Sequence, residues 1–495
     1  MVTCWNSYTT ERHSLKSPWS RKKRRQPLSR QSWNGLFTIE GRFRDGGIKF
    51  LKKARSGGIE PSIRADVWPF LLGVYDLNSS EEERNAVQLQ KRNIYEDLRR
   101  QCQLLSSHCY QGNMLMNIDK INGEARYDFN EDAYSAANSE DGSPRLSLSM
   151  EGSDVEDQPV YDRTPDSASR NSDDEVDDEE ECEITHFDAF LAETDSSDSE
   201  SSYEVLKRIP KLNPWPTNSP SSKPETFSRT VEDYATWQRI IRVDAIRADP
   251  EWVACSPAQA SVSLELSKQA AEAVDLKNYD HLEPCMIRHA SRLVSVLEAY
   301  AAYDPEIGYC QGMSDLLSPI LTVMEDDHDA FWCFVGFMRK ARHNFRLDEI
   351  GIRRQLAIVS RIIRSKDAHL YRHLEKLQAE DCFFVYRMVL VLFRRELTFQ
   401  QTVCLWEVMW ADQAAIRAGI ENSASCRMRL RAPPTNDLLL YAIAACVLQR
   451  RKLILEKYST MDEIMRECNS MSGQLDVWRL LDDAHDLVVT LHDKV

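Results

Sequence analysis

From Thr230 almost to Val495, apolar residues recur three and four positions apart, the spacing of one face of an α-helix. Leu282, Met286, Ala290, Leu293, Leu297 and Tyr300 form one such row. Breaks fall near Pro250, Pro284, Asp304–Gly312, Asp326, Asp367, Pro433–Pro434 and Gly473. No stretch alternates apolar and polar residues between regular turn signals, as a β domain requires. The predicted class is all-α. Thr230, with Asp233 three residues on, reads as the cap of the first of these helices. "LLLYAIAACVL" (438 to 448) is too short to span a bilayer and reads as a buried helix.

Upstream, "SGGIEPSIRADVWPFLLG" places Pro61 at a first helical position and Gly73 at a helix end. A second helix is expected from about Ser80 to His108, with Val87, Ile94, Leu98 and Leu105 among many charges. Between these helices and Thr230 the chain changes character. It carries a net charge of −16, but residues 131 to 204 alone hold about 25 acids against about 3 bases, leaving the rest at about +6. "NSDDEVDDEEECE" and "ETDSSDSESSYE" cannot bury enough apolar surface to offset their ordering entropy, so this stretch is expected to be disordered. Its serines flanked by acids suit phosphorylation. The expected organisation is therefore a basic disordered tail over 1–45, a first helical part over 46–129 and a disordered acidic, serine-rich insertion over 130–223. The main helical part over 224–460 and a C-terminal helical region over 461–495 follow.

Several function classes find no support. The start "MVTCWNSYTTERHSLKSPWSRKKRR" has no apolar core and is not a signal peptide, so the 13 cysteines are expected as reduced thiols. No CxxC pair, phosphate loop, GxGxxG, HExxH or GxSxG occurs. "HLYRH" sets His369 and His373 one turn apart but lacks the glutamate and a third ligand, so it reads as a surface pair. In "NIDKINGEARYDF" a calcium loop would make Ile118 the first ligand, which cannot coordinate calcium. No metal is expected. "RKKRR" (21 to 25) is either a solvated tail or an import or phosphate-binding tag. A near-neutral helical part offers no broad basic face for nucleic acid, and the acidic insertion would repel it.

Three constellations remain. In "RADVW", Arg64 and Trp68 lie one helical turn apart, so the guanidinium can lie near the indole face; ordinary packing at the core edge is the alternative. In "IIRVDAIRADPEW", Ile241, Asp244 and Arg247 follow at three-residue steps. Asp244 either makes a surface ion pair with Arg247 or holds it in place where it projects just before Pro250. In "YDPEIGYCQGM" a tight inter-helix loop sets Gln311 and Gly312 after Tyr309 and Cys310. The amide can orient a water or phosphate oxygen without adding charge, or it can simply cap a helix carbonyl.

In this order, Arg-x-x-x-Trp, Ile-x-x-Asp-x-x-Arg and Tyr-x-Gln-Gly resemble the signature motifs of the TBC-domain family, the GTPase-activating proteins for Rab GTPases. The resemblance covers roughly 56 to 460. Ala248 stands where the family often has a small hydroxyl residue, and the insertion is long. The resemblance implies a multi-helix TBC domain interrupted by the acidic insertion. It implies an activator, not an independent hydrolase, that stimulates GTP hydrolysis by a GTP-bound Rab-type GTPase and so regulates vesicle trafficking. Arg247 would stabilise transition-state charge and Gln311 would orient the attacking water, both supplied in trans. Asp244, Tyr309, Gly312 and Ile241 would hold these fingers, and Arg64 and Trp68 would support the site or touch the partner. No cofactor of its own is implied, because GTP and Mg²⁺ belong to the Rab. The expected location is cytoplasmic and peripheral to endomembranes, reached through partners and without a transmembrane segment. A TBC-fold scaffold that holds a Rab without turnover is the rival reading.

Overall fold

The fold takes in residues ahead of Gly46, where the sequence places its start. Ser29 caps a short helix, Arg30–Asn34, by accepting from the Ser32 N–H. Trp33, Phe37, Phe43, Phe50 and Phe70 then meet in one aromatic cluster, with Trp33 edge-on to Phe37 and Phe43 stacked on Phe50. Rings far apart in a polar stretch leave no periodic signal, yet such pairs contribute ~0.5–1.5 kcal/mol each beyond their burial. In this computed structural model the described residues are 26–121, 224–253, 262–346, 348–420 and 432–491. The expected basic tail up to Arg25 and the whole of the acidic insertion, 130–223, lie outside them.

Helix α1 spans Ile48–Gly57, and α2 (Arg64–Leu71) carries the first motif. Helix α3 runs Glu81–Ile121, longer than expected, and α4 runs Pro224–Ala245, so that Thr230 lies inside α4 instead of capping it. Pro224 explains the earlier start, since proline suits a first turn that needs no N–H donor. Helix α5 (Pro284–Tyr303) is buried on nearly every side, and α6 (Met313–Val323) and α7 (Asp327–Ala341) pack on it. Then come α8 (Ile350–Lys366), α9 (Phe399–Arg417), α10 (Leu438–Gln449) and α11 (Val477–Leu491). Helix α10 is the expected buried helix, lodged between α8 and α11. Two isolated bridges, Leu28–Ile59 and Phe37–Phe43, are the only β pairing among the described residues. The all-α class therefore holds. No described helix is long and apolar enough to cross a membrane.

The polar groups buried along α5 are hydrogen-bonded, as burial demands. Arg292 donates to the carbonyls of Leu321, Met324 and Glu325 at the end of α6 and pairs with Asp327 at 2.6 Å. Glu298 sits 3% exposed among donors from both sides of the insertion: Arg99 of α3, and Gln238 and Arg242 of α4, at 3.1–3.2 Å. This knot fixes α4, and with it the second motif, against the central helix.

Candidate functional site

Helix α4 ends by closing its last turn on itself. The Arg247 N–H donates to the Asp244 carbonyl at 3.2 Å and the Ala248 N–H to that of Ala245 at 3.3 Å. Pro250 then starts a new short helix, Pro250–Val253. Arg247 is left exposed on the turn, and its guanidinium has no hydrogen-bond or ion-pair partner among the described residues. The same-face pairing with Asp244 expected from the spacing is thus not a side-chain contact. Asp244 instead accepts a hydrogen bond from the Tyr309 hydroxyl at 2.7 Å. Burial pushes the Asp244 carboxyl up, opposed by the Tyr309 donor and by the nearby Arg247 charge. Burial and the Asp244 charge hold Tyr309 well above its usual range, so it remains a neutral donor.

The loop from Asp304 to Gly312 is fixed at both ends. Arg342 grips Asp304 with two bonds of 3.0 Å, and the Cys310 thiol donates to the Phe345 carbonyl at 3.3 Å. In its middle Gly308 has φ +62°, and a Cβ there would stand 2.2 Å from the Trp237 indole of α4. Only glycine permits this approach. Gly312 has φ +101° and turns the chain into α6 without a side-chain cap. Gln311, just before it, is exposed and has no hydrogen-bond partner among the described residues, so the amide is not spent on capping a carbonyl. Ile241 is fully buried one turn before Asp244.

Arg64 and Trp68 lie elsewhere. Both donate to one oxygen of Glu407, at 2.7 and 3.0 Å, and Arg64 also donates to Gln400 at 2.9 Å. The shared acceptor, not the indole face, joins them. Arg64 is 5% exposed and Trp68 fully buried. They fix α9, whose Phe399 packs edge-on against Trp252 at 5.4 Å, just beyond the Arg247 turn. Burial pushes the Glu407 carboxyl up against the pull of Arg64.

Sequence reasoning missed several residues here. Besides Trp237, they are Arg394, Trp252, Asp249 and Asp315. Arg394 is 7% exposed and lies over the Trp252 ring at 3.6 Å. It reaches Asp249 at 3.4 Å and Asp315 at 3.6 Å. Arg395 also pairs with Asp315, at 2.8 Å. No local spacing announces these contacts, although Trp252 and Asp249 sit within the second motif's own stretch.

The molecule is, then, a helical domain that displays an arginine and a glutamine from two adjoining loops, each without a side-chain partner among the described residues. Its closest description comes from comparison. The Rab-GTPase-TBC domain family model matches residues 287–421, which include Tyr309, Gln311, Gly312 and Arg394 but begin after Arg247. Rab GTPase-activating protein 22 of Arabidopsis thaliana is 55% identical over 491 residues, 99% of this chain and 85% of that protein. GTPase-activating protein gyp7 of Schizosaccharomyces pombe is 23% identical over 485 residues, 95% of this chain and 44% of its own length. The solved Ypt/Rab-GAP domain of Gyp1p is 18% identical with a TM-score of 0.35, covering 54% of this chain and 82% of that one. The chain belongs to the TBC-domain family of Rab GTPase-activating proteins.

Proposed function

We propose that this protein stimulates GTP hydrolysis by a GTP-bound Rab-type GTPase, with Arg247 and Gln311 as two fingers supplied in trans. The observation that carries the reading is the pair itself: two exposed side chains, without partners among the described residues, on loops joined by the 2.7 Å Tyr309–Asp244 bond. Hydrolysis needs a positioned water and neutralisation of charge developing toward the β–γ bridge. A guanidinium supplies directional donors for the charge, and an uncharged amide orients the water without repelling phosphate. Tyr309, Asp244, Ile241 and Gly312 fix the loops, while Arg64 and Trp68 act at one remove through α9. GTP and Mg²⁺ arrive with the GTPase, and the chain needs no cofactor of its own. The activity then belongs in the cytoplasm at endomembrane surfaces reached through that partner, in the control of vesicle transport.

Multiple-turnover GTP hydrolysis with a panel of GTP-loaded Rabs tests this. Stimulation of at least one Rab, lost in Arg247→Ala, supports it. Tight binding with no stimulation of any Rab would make the protein a scaffold instead.

A further inference from the structure

Two loops must present their side chains together if both are to act on one nucleotide, and the Tyr309–Asp244 bond is one link between them. A second link lies beneath. Asp249 follows Arg247 by two residues, and Asp315 follows Gln311 by four, in the first turn of α6. The buried Arg394 guanidinium contacts both carboxylates, Asp249 with its Nη atoms at 3.4 Å and Asp315 with its Nε at 3.6 Å. Its flat face covers Trp252 at 3.6 Å. A planar fork can meet two carboxylates along different edges while stacking on a ring; an ammonium is a single point charge and cannot.

The backbone that delivers Arg394 is unusual. Leu392 and Phe393 have φ of +51° and +62°, two successive left-handed residues with large side chains. Such conformations persist only where the surroundings impose them, and they gather at functional positions. Here Phe393 is fully buried, and the Leu392 carbonyl accepts from the Trp406 indole at 2.9 Å. Helix α9 therefore holds the strained turn from below.

We propose that Arg394 is a positioning residue that clamps the Arg247 loop and the Gln311 loop into one rigid pair. It touches no reacting atom. It acts through Asp249 and Asp315, and the Trp252 ring keeps its fork aligned. The proposal rests on the two-finger reading above for its effect on rate, but the clamp itself is a property of this chain alone.

The test uses the full chain with Arg394→Met, which retains packing on Trp252, and Arg394→Lys, which keeps the charge. Amide hydrogen exchange reads the clamp without any partner. In Arg394→Met it should accelerate about tenfold or more over both 246–249 and 309–313, with α5 and α10 unchanged. In single-turnover assays kcat should fall about 10- to 100-fold while KM stays within about threefold, as a misplacement of the groups predicts. Arg394→Lys should fall in the same direction. If Arg394→Met does not fold, Asp249→Asn and Asp315→Asn each release one carboxylate. Either should loosen its own loop more than the other, and their effects on kcat should be less than additive. Faster exchange spread evenly over the domain, unchanged exchange in either loop, or a loss confined to KM overturns the clamp. A wild-type protein that stimulates no Rab would defeat the two-finger reading, and the exchange result would still decide the clamp.

Discussion

At the scale of the residue, the site turns on what each polar group does with its hydrogen bonds. The Arg247 guanidinium spends none among the described residues, so Arg247→Ala should leave the melting temperature nearly unchanged and cut kcat/KM by ~10²–10⁵, the range of an arginine finger. Arg247→Lys should fail as well, because an ammonium lacks the planar donor fork. Hydrolysis rates and melting curves for both variants check this, and near-wild-type stimulation by either removes Arg247 from the role. Tyr309 is the opposite case, since its hydroxyl serves the fold. Tyr309→Phe strips the half-buried Asp244 carboxylate of its donor, which costs ~1–3 kcal/mol. Stimulation should drop with it, because the Arg247 turn hangs on the same residue. Urea unfolding beside a kcat measurement separates the outcomes: unchanged stability together with unchanged kcat would show the bond to be ornamental.

At the scale of the element, α5 and α6 meet in a buried contact that titrates. His289 is fully buried and shares a 2.8 Å hydrogen bond with Ser318 across the two helices that flank the Gln311 loop. Burial, and next the Arg292 and Arg394 charges, push its pKa down to about 3. A depressed histidine is neutral in the fold and takes up its proton on unfolding. Its stabilisation is complete above an unfolded pKa of about 6.5 and is lost as pH falls toward about 3, at up to ~1.4 kcal/mol per pH unit. His485 in α11 behaves alike, while the buried Asp412, pushed up to about 6, works the other way between pH 6 and 4. Comparing wild type with His289→Gln isolates the one group: the melting temperature of the wild type should decline more steeply between pH 6.5 and 4. Parallel curves would show that His289 does not govern that range. The helices from α5 to α8 were legible in the sequence because Pro284, the glycines of the Gln311 loop, Asp326 and Asp367 mark ends of them locally. The three motifs were legible for the same reason, each being a few residues long. The Asp244–Tyr309 bond, the Glu407 acceptor and the Arg394 clamp were not. Arg64 and Glu407 are 343 positions apart and Arg394 and Asp249 are 145 apart, and helical periodicity says only that a face is buried, not which residue it meets.

At the scale of the whole molecule, the long acidic insertion enters between α3 and α4, whose described parts are tied by the Glu298 knot without it. Loop closure costs only ~0.6 kcal/mol per doubling of length, so shortening the loop should change little. Deleting about 135 to 200 is therefore expected to leave the melting temperature and Rab stimulation within a few-fold of wild type. A protein that no longer folds would make the segment structural. The remaining question concerns two molecules at once. Many small GTPases position the attacking water with a glutamine of their own, and losing it leaves them locked with GTP. If Gln311 does that work in trans, the partner's glutamine becomes dispensable. A Rab with that residue replaced by Leu or Ala should still hydrolyse GTP when this protein is added, with some loss because the displaced side chain still shapes the contact. Gln311→Ala should abolish stimulation of both Rab forms, yet only weaken binding to a transition-state mimic, since Arg247 remains. Its melting temperature should not move, because the exposed amide bonds to nothing in the described fold. A Gln311 that served only its own loop would give the reverse: an inert Rab variant and a destabilised Gln311→Ala. Single-turnover hydrolysis on the two Rab forms, with melting curves for both versions of this protein, decides it. A glutamine-less Rab that stays inert beside a strongly stimulated wild-type Rab would sink the two-finger mechanism.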